Sequence, residues 1–417
     1  MRIAMLSVHT CPLAALGGKE TGGMNVYVRE VSRELGRMGI GVDVFTRSQN
    51  PGIPRIVPLG INCRVIHVPA GPAAPMPREG VYHHLGEFVE ALESFRARES
   101  LTYDLIHAHY WLSGVVGLAL RARWGTPLIQ MFHTLGRLKN LAAREARSRD
   151  PEFRIAEETR IVREADRIVA ASPVELVHLV EMYEARSHQI VVIPCGVDTV
   201  LFRPVNLKEA KEAASLGPEP VVLYVGRLTP IKGLETLLEA LRYLGHDRRH
   251  RNLQLLVAGG DTDEPDNGHE ASLREQVAAF GLDNAVHFLG PQPQERLRLY
   301  YGAARMTIMP SYYESFGMVA LEAMACGSPV IASRVGGLST TVVNGVTGYL
   351  VPEGNPRVLA LRAAELLEDD SLRLRFGREA IRMASRYRWP CIVEAICRLY
   401  AEMRPTASQH LVLSRCH

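Results

Sequence analysis

MTIMPSYYESFGMVALEAMACGSPVIAS, residues 306–333, reads as one strand–loop–helix–strand unit. MTIMP and PVIAS are short apolar runs of the kind found in a sheet covered on both faces. SYYESFG between them reads as a loop, and MVALEAMACG reads as a helix stopped by Gly327. Two strands joined through a helix in this way form a parallel pair with a right-handed crossover. The unit also carries two carboxylates, Glu314 in the loop and Glu322 about one turn into the helix. In open α/β sheets, loops beyond the carboxyl ends of strands are where ligands bind, so Glu314 belongs in a cleft.

The same alternation extends in both directions. Upstream, VVLYVG (221–226), LQLLVAGG (253–260) and VHFLG (286–290) read as strands, and GYLVP (348–352) follows downstream. An earlier series comprises RIAMLSV (2–8), GVDVFTR (41–47), CRVIHVP (63–69), DLIHAH (104–109), PLIQMF (127–132), RIVAAS (167–172) and IVVIP (190–194). Amphipathic helices separate these runs, as in NVYVREVSRELGRMG (25–39) with Gly39 as its stop. Residues 195–219 lack a strand pattern and read as the connector. The expectation is α/β, two Rossmann-like doubly wound parallel-sheet domains facing a cleft. The first spans residues 1–200 and the second 201–387, with a helix at about 388–403 packing back on the first.

The chain has 417 residues, too many for one ordinary core. A formal charge of +3 gives no domain-wide basic excess, which removes the main reason to expect a nucleic-acid partner. Cys11, Cys63, Cys195, Cys326, Cys391, Cys397 and Cys416 are scattered and form no CxxC, against a disulfide framework or a zinc site and for a reducing compartment. No apolar run approaches the roughly 18 residues needed to span a bilayer. MRIAMLSVHT reads as a first strand rather than a signal peptide. The expected location is cytoplasmic.

Several segments offer chemistry. TCPLAALGGKETGGMN (10–25) places glycines at 17, 18, 22 and 23 before a helix. Such a loop exposes backbone N–H groups to a phosphate, or is simply a turn. Arg227 and Lys232 lie between a strand and a helix expected to start near Ile231, placed to neutralise a diphosphate or to be two solvated cations. His107 and His109 alternate on one strand face, and without Cys or acidic partners nearby packing is the plainer reading than metal ligation. The basic run TLGRLKNLAAREARSRD (134–150) suits a solvated face, an anionic substrate or a membrane surface. Asp261-Thr-Asp263 has the form of a metal-binding DxD, with an ordinary acidic loop as its rival. No metal is expected.

Taken together, GGMNVYVREVSREL, HAHYWLSG, PCGVDTVLFRP, YVGRLTPIKG and ESFGMVALEAMACGSPVIASRVGG resemble glycosyltransferase family 4, the retaining nucleotide-sugar transferases of GT-B fold. The E-x7-E pattern of Glu314 and Glu322, with Arg227 and Lys232 upstream, is the most specific part. The resemblance implies that Arg227 and Lys232 grip the diphosphate, approached from the other domain by Gly22 and Gly23. Glu322 would hold the ribose and Glu314 the donor sugar near its reacting carbon, with amides of Gly317, Met318 and Val319 at a helix terminus. His133 would lie beside the donor sugar. On the family's front-face account the leaving phosphate takes the acceptor's proton, so neither glutamate has to be a general base. A UDP-sugar is the implied co-substrate, without a cofactor or metal.

Two branches of the family look similar. GGMNVYV, HYWLSG, Lys139-Asn140 and Arg154 resemble the inositol-phosphate N-acetylglucosaminyltransferases of mycothiol synthesis. FHTLGRLKN is similar to a stretch of sucrose-phosphate synthases, which use UDP-glucose and fructose 6-phosphate. Both imply a phosphorylated acceptor, bound here by Asn25, Arg78, Tyr110, Thr134, Lys139 and Arg154. Arg78 stands where the first branch has lysine, which keeps the charge and changes the geometry. The preferred expectation is transfer to fructose 6-phosphate, giving sucrose 6-phosphate. The alternatives are the inositol-phosphate reaction and a peripheral-membrane lipid transferase. A nucleotide-sugar epimerase or hydrolase shares the scaffold, and a non-catalytic nucleotide-sugar sensor is the rival outside enzymes. A dehydrogenase would need a GxGxxG after a strand, which neither half has.

Overall fold

The protein is described by a computed structural model covering residues 1–14, 22–143, 149–245, 247–260 and 268–403. The DxD at 261–263, Arg144, Arg147 and the tail beyond 403 lie outside the described residues.

The first half builds one sheet from β1 (Arg2–Leu6), β2 (Gly41–Arg47), β3 (Ile56–Gly60), β4 (Cys63–Val68), β5 (Leu105–His109), β6 (Leu128–Met131), β7 (Arg167–Ala170) and β8 (Ile190–Val192). Its order is β3-β4-β2-β1-β5-β6-β7-β8, parallel except for β3. The second half builds another from β9 (Val221–Val225), β10 (Gln254–Ala258), β11 (Val286–Gly290), β12 (Met306–Met309), β13 (Val330–Ser333) and β14 (Gly348–Val351). Its order is β11-β10-β9-β12-β13-β14, all parallel. The apolar runs become strands because helices cover both faces, so Ile3 and Met5 on one face of β1 and Ala4 and Leu6 on the other are all fully buried.

Three details depart from the sequence reading. β3 runs antiparallel at the edge of the first sheet, and its Pro58 hides it from the pattern; an edge strand tolerates the missing N–H. The connector contains a helix, Leu207–Ala213, capped by the Asn206 side chain and packed on the helix Gln294–Ala303 of the second half. The helix expected near Ile231 starts at Leu234, after a 3-10 turn at Pro230–Lys232 and Gly233. Gly233 has φ +67 and lies so close to the Pro310 carbonyl that a Cβ there would collide with it.

The last helix, Trp389–Glu402, buries Trp389, Ile392, Val393, Ile396, Leu399 and Tyr400, the three-and-four spacing of one face. That face packs on the helix Gly23–Arg37 of the first half. The chain therefore crosses between the halves twice, and the crossings touch. Val197 bridges Arg388, its N–H donates to the Tyr387 carbonyl at 2.8 Å, and Trp389 covers Gly196.

Candidate functional site: a cleft between two sheets

Each sheet has a central switch in strand order, between β1 and β5 and between β9 and β12. Loops leaving the carboxyl ends of strands at these points face one another across a cavity of about 380 Å³. Every site residue expected from the sequence lines it, with one exception. Gly22, Gly23, Asn25, Arg78, Tyr110, His133, Thr134 and Lys139 come from the first half. Arg227, Lys232, Glu314, Gly317, Met318, Val319 and Glu322 come from the second. Arg154 is the exception; it is buried behind the wall.

On the second-half side, Lys232 Nζ and the Glu314 carboxylate form an ion pair, both largely shielded. The helix Met318–Ala325 opens at the wall after Gly317, whose φ of +94 and contact with Leu338 leave no room for a side chain. A helix start carries positive partial charge and suits a phosphate or an anionic oxygen. One turn on, Glu322 accepts from the Tyr301 hydroxyl at 2.9 Å and from Gln294 Nε2 at 3.4 Å. Burial pushes its carboxyl up to about 7, against the pull of those two donors. Gln294 in turn accepts from Arg29 Nη2 at 3.0 Å, which links Glu322 to the first half.

On the first-half side the wall is cationic and braced from behind. Arg78 Nη1 donates to the Tyr110 hydroxyl at 3.0 Å, and the Arg154 guanidinium sits over the Tyr110 ring at 4.9 Å. Arg154 donates through Nη2 to the carbonyl and hydroxyl of Thr134 at 3.1 and 3.2 Å. Its charge is met by Glu158, 2.8 Å from Nε, and by Asp150, 2.9 Å from Nη1. Asp150 also pairs with Lys139 at 2.8 Å. Burial works against the charge on Asp150, yet Arg154 and Lys139 outweigh it and hold the carboxyl below its usual range. Glu158 further accepts from the Tyr183 hydroxyl at 2.5 Å and from Gly136 N–H at 2.9 Å. Arg154 is thus a brace for Thr134 and Lys139 rather than part of the cavity surface.

Two residues of this wall have backbone conformations rare outside glycine, Tyr110 at φ 74 and His133 at φ 60. Such strain persists only where the surroundings enforce it, and it clusters at functional sites. His107 and His109 are both fully buried. His107 Nδ1 lies 2.7 Å from the Tyr400 hydroxyl, and His109 Nδ1 lies 3.0 Å from His133 Nε2. Among the described residues the one cluster able to hold a metal is Asp247, His250 and Glu368, outside the cavity wall and ion-paired with Arg249. No described helix is long and apolar enough to cross a membrane.

Sequence reasoning missed several wall residues. His9 and Thr10 follow β1, Gln294 lies on the helix after β11, and Tyr313 precedes Glu314. Burial, then the charges of Arg78 and Arg154, hold His9 down at about 3. The Tyr313 hydroxyl accepts from Leu135 N–H at 3.3 Å, joining the loop of Glu314 to the loop of Thr134 across the cavity. The usable signal for His9, Thr10 and Tyr313 was position, just past a strand end at a switch in strand order.

Comparison with known proteins agrees with this architecture. Residues 21–201 match Glycosyltransferase Family 4, and residues 206–383 match Glycosyl transferases group 1. The chain is 41% identical to a D-inositol 3-phosphate glycosyltransferase of Acidothermus cellulolyticus, over 98% of this chain and 93% of that one. It is 38% identical to the enzyme of the same name from Corynebacterium glutamicum, over 96% of each chain. Among solved structures, a sucrose-phosphate synthase of Thermosynechococcus elongatus superposes with a TM-score of 0.90 at 36% identity, covering 96% of this chain and 98% of that one. Identity of this order along nearly the whole chain places the protein in glycosyltransferase family 4, as a nucleotide-sugar-dependent glycosyltransferase of GT-B fold.

Proposed function

We propose that the protein transfers a hexosyl group from a UDP-sugar to a phosphorylated polyol, with an inositol phosphate as the acceptor. The observation that carries this is the first-half wall: Arg78 and Lys139 supply charge, Tyr110 and Thr134 supply hydroxyls, and all four surround one space. A phosphate is what such a set binds best. Relatives named for D-inositol 3-phosphate, at 38–41% identity, support inositol phosphate over the fructose 6-phosphate preferred from sequence. The likeness to the sucrose-phosphate synthase keeps fructose 6-phosphate as a second reading.

In this reading Lys232 leaves Glu314 to meet the diphosphate, the Met318 helix start and Arg227 add positive potential, and Glu322 accepts from the ribose hydroxyls. Glu314 and His133 then border the donor sugar. The departing phosphate takes the acceptor's proton, and configuration is retained. A cytoplasmic, metal-independent reaction is part of the proposal. The test is UDP release by purified protein with UDP-N-acetylglucosamine or UDP-glucose, against inositol phosphate, fructose 6-phosphate, free inositol and no acceptor. Release that requires inositol phosphate supports the proposal, and release that requires fructose 6-phosphate replaces it with the second reading. Equal release with free inositol refutes the phosphate site.

A further inference from the structure

A row of side chains runs from β1 to the cavity. His109, fully buried on β5, has Nε2 2.8 Å from Met5 Sδ on β1 and Nδ1 3.0 Å from Nε2 of His133. His133 lines the cavity. The Tyr27 ring packs on both imidazoles with centroids 5.5 and 5.3 Å away, and His107 lies against His109 at 4.4 Å. Among the described residues no carboxylate hydrogen-bonds to either ring.

A neutral imidazole has one N–H and one bare nitrogen. Both rings are neutral at pH 7, because burial holds His133 at about 3 and His109 well below the ordinary value. A thioether sulfur accepts hydrogen bonds and has none to give. The Nε2 of His109 that faces Met5 therefore carries the proton, since a bare nitrogen there would set lone pair against lone pair. The Nδ1 of His109 is then bare and accepts from His133 Nε2–H, which leaves His133 Nδ1 bare in turn.

We propose that Met5, acting through His109, fixes His133 as a hydrogen-bond acceptor toward the cavity, so that the substrate group His133 meets is a hydroxyl and not a phosphate oxygen. Met5 and His109 are positioning residues; neither touches substrate. The tautomer assignment stands without any identification of the donor. Only its kinetic consequence rests on the proposed function.

Long-range proton–nitrogen NMR on ligand-free protein labelled in histidine reads the tautomer directly, with His133 assigned by loss of its signal in His133→Gln. The expected result is Nε2–H with bare Nδ1 for both His133 and His109 at pH 7. A protonated Nδ1 on His133 overturns the proposal. Met5→Leu keeps the volume and removes the sulfur, so the His133 signal should shift toward a mixture and kcat should fall a few-fold with nucleotide affinity unchanged. An unchanged signal in a folded Met5→Leu protein removes Met5 from the assignment. Deoxy and deoxyfluoro donor sugars give a second readout, because fluorine accepts weakly and cannot donate. At the hydroxyl His133 meets, the fluorosugar should lose at least as much rate as the deoxysugar, and His133→Ala should shrink both losses by the same factor, leaving only the inductive effect of fluorine. A fluorosugar that keeps its rate in the parent while the deoxysugar loses it would show His133 donating. If no sugar is turned over, the proposed function fails while the NMR result still decides the tautomer.

Discussion

The two walls of the cleft are built on different principles. The second-half wall places its groups singly: Lys232 pairs with Glu314, and Glu322 rests on Tyr301 and Gln294. The first-half wall is the face of a buried network in which Arg154, Asp150, Glu158 and Tyr183 each answer to two or more partners and together hold Lys139 and Thr134. A wall of single pairs can exchange partners when a ligand arrives. A braced wall holds its shape whether or not the ligand is there. The first arrangement suits a leaving group whose charge changes during reaction, and the second suits a substrate that only has to be positioned.

Substitutions should expose this contrast, as lost folding on one side and lost rate on the other. Arg154→Ala leaves Glu158 buried without its cation and Asp150 with Lys139 alone, and should cost about 3–5 kcal/mol of stability. Chemical denaturation checks this, and a loss below about 1 kcal/mol would mean that the first-half wall is not braced. Lys232→Ala should leave the melting temperature nearly unchanged and lower kcat by about 10²–10³-fold, by removing charge at the leaving diphosphate. Steady-state rates at saturating donor decide it, and an unchanged kcat would falsify that role for the lysine.

A smaller effect should follow from pH. The Glu322 carboxyl titrates at about 7, so it is ionised and accepting at pH 8 and largely protonated at pH 6. If ribose hydroxyls need the carboxylate, UDP affinity should fall by about tenfold from pH 8 to pH 6. Calorimetry at the two pH values measures this, and Glu322→Gln should flatten the dependence. The smallest effect is expected at the link between the walls. Arg29→Ala removes one partly buried hydrogen bond to Gln294 and should weaken donor binding by less than about fivefold with kcat intact. A large loss of kcat there would mean that Glu322 depends on the first half more than its own partners suggest.

The contrast between the walls also explains what could be read from the sequence. Glu314, Glu322, Arg227 and Lys232 were legible because each sits on the loop after a strand or in the helix it feeds, within two short segments. The alternation of apolar runs gave both parallel sheets, and missed β3 because Pro58 breaks its pattern. Arg78, Tyr110 and the segment holding Thr134 and Lys139 lie apart in the sequence and could be linked only through the family resemblance. The network behind them was not legible, since Asp150, Glu158 and Tyr183 look like ordinary helix-surface residues until the fold turns them inward. Arg154 was recognised, but its place just behind the wall was not, because a sequence motif marks a residue without saying which side of the wall it occupies. The row from Met5 to His133 was hidden for the same reason. Alternation put His107 and His109 on one face, and nothing in the spacing revealed a methionine on β1 as the partner.

The paired crossings beside Gly196 carry a mechanical consequence. Where the chain passes between domains at two adjoining points tied by Val197 and Arg388, sliding of one domain over the other is resisted, and pivoting about the line through those points is the motion left free. The cleft is then a hinged jaw, in which the Lys232–Glu314 pair rides on one arm and the Tyr313–Leu135 contact bridges the two. Small changes in packing where Trp389 covers Gly196 would be magnified with distance from the pivot, so this one contact sets how wide the jaw can open.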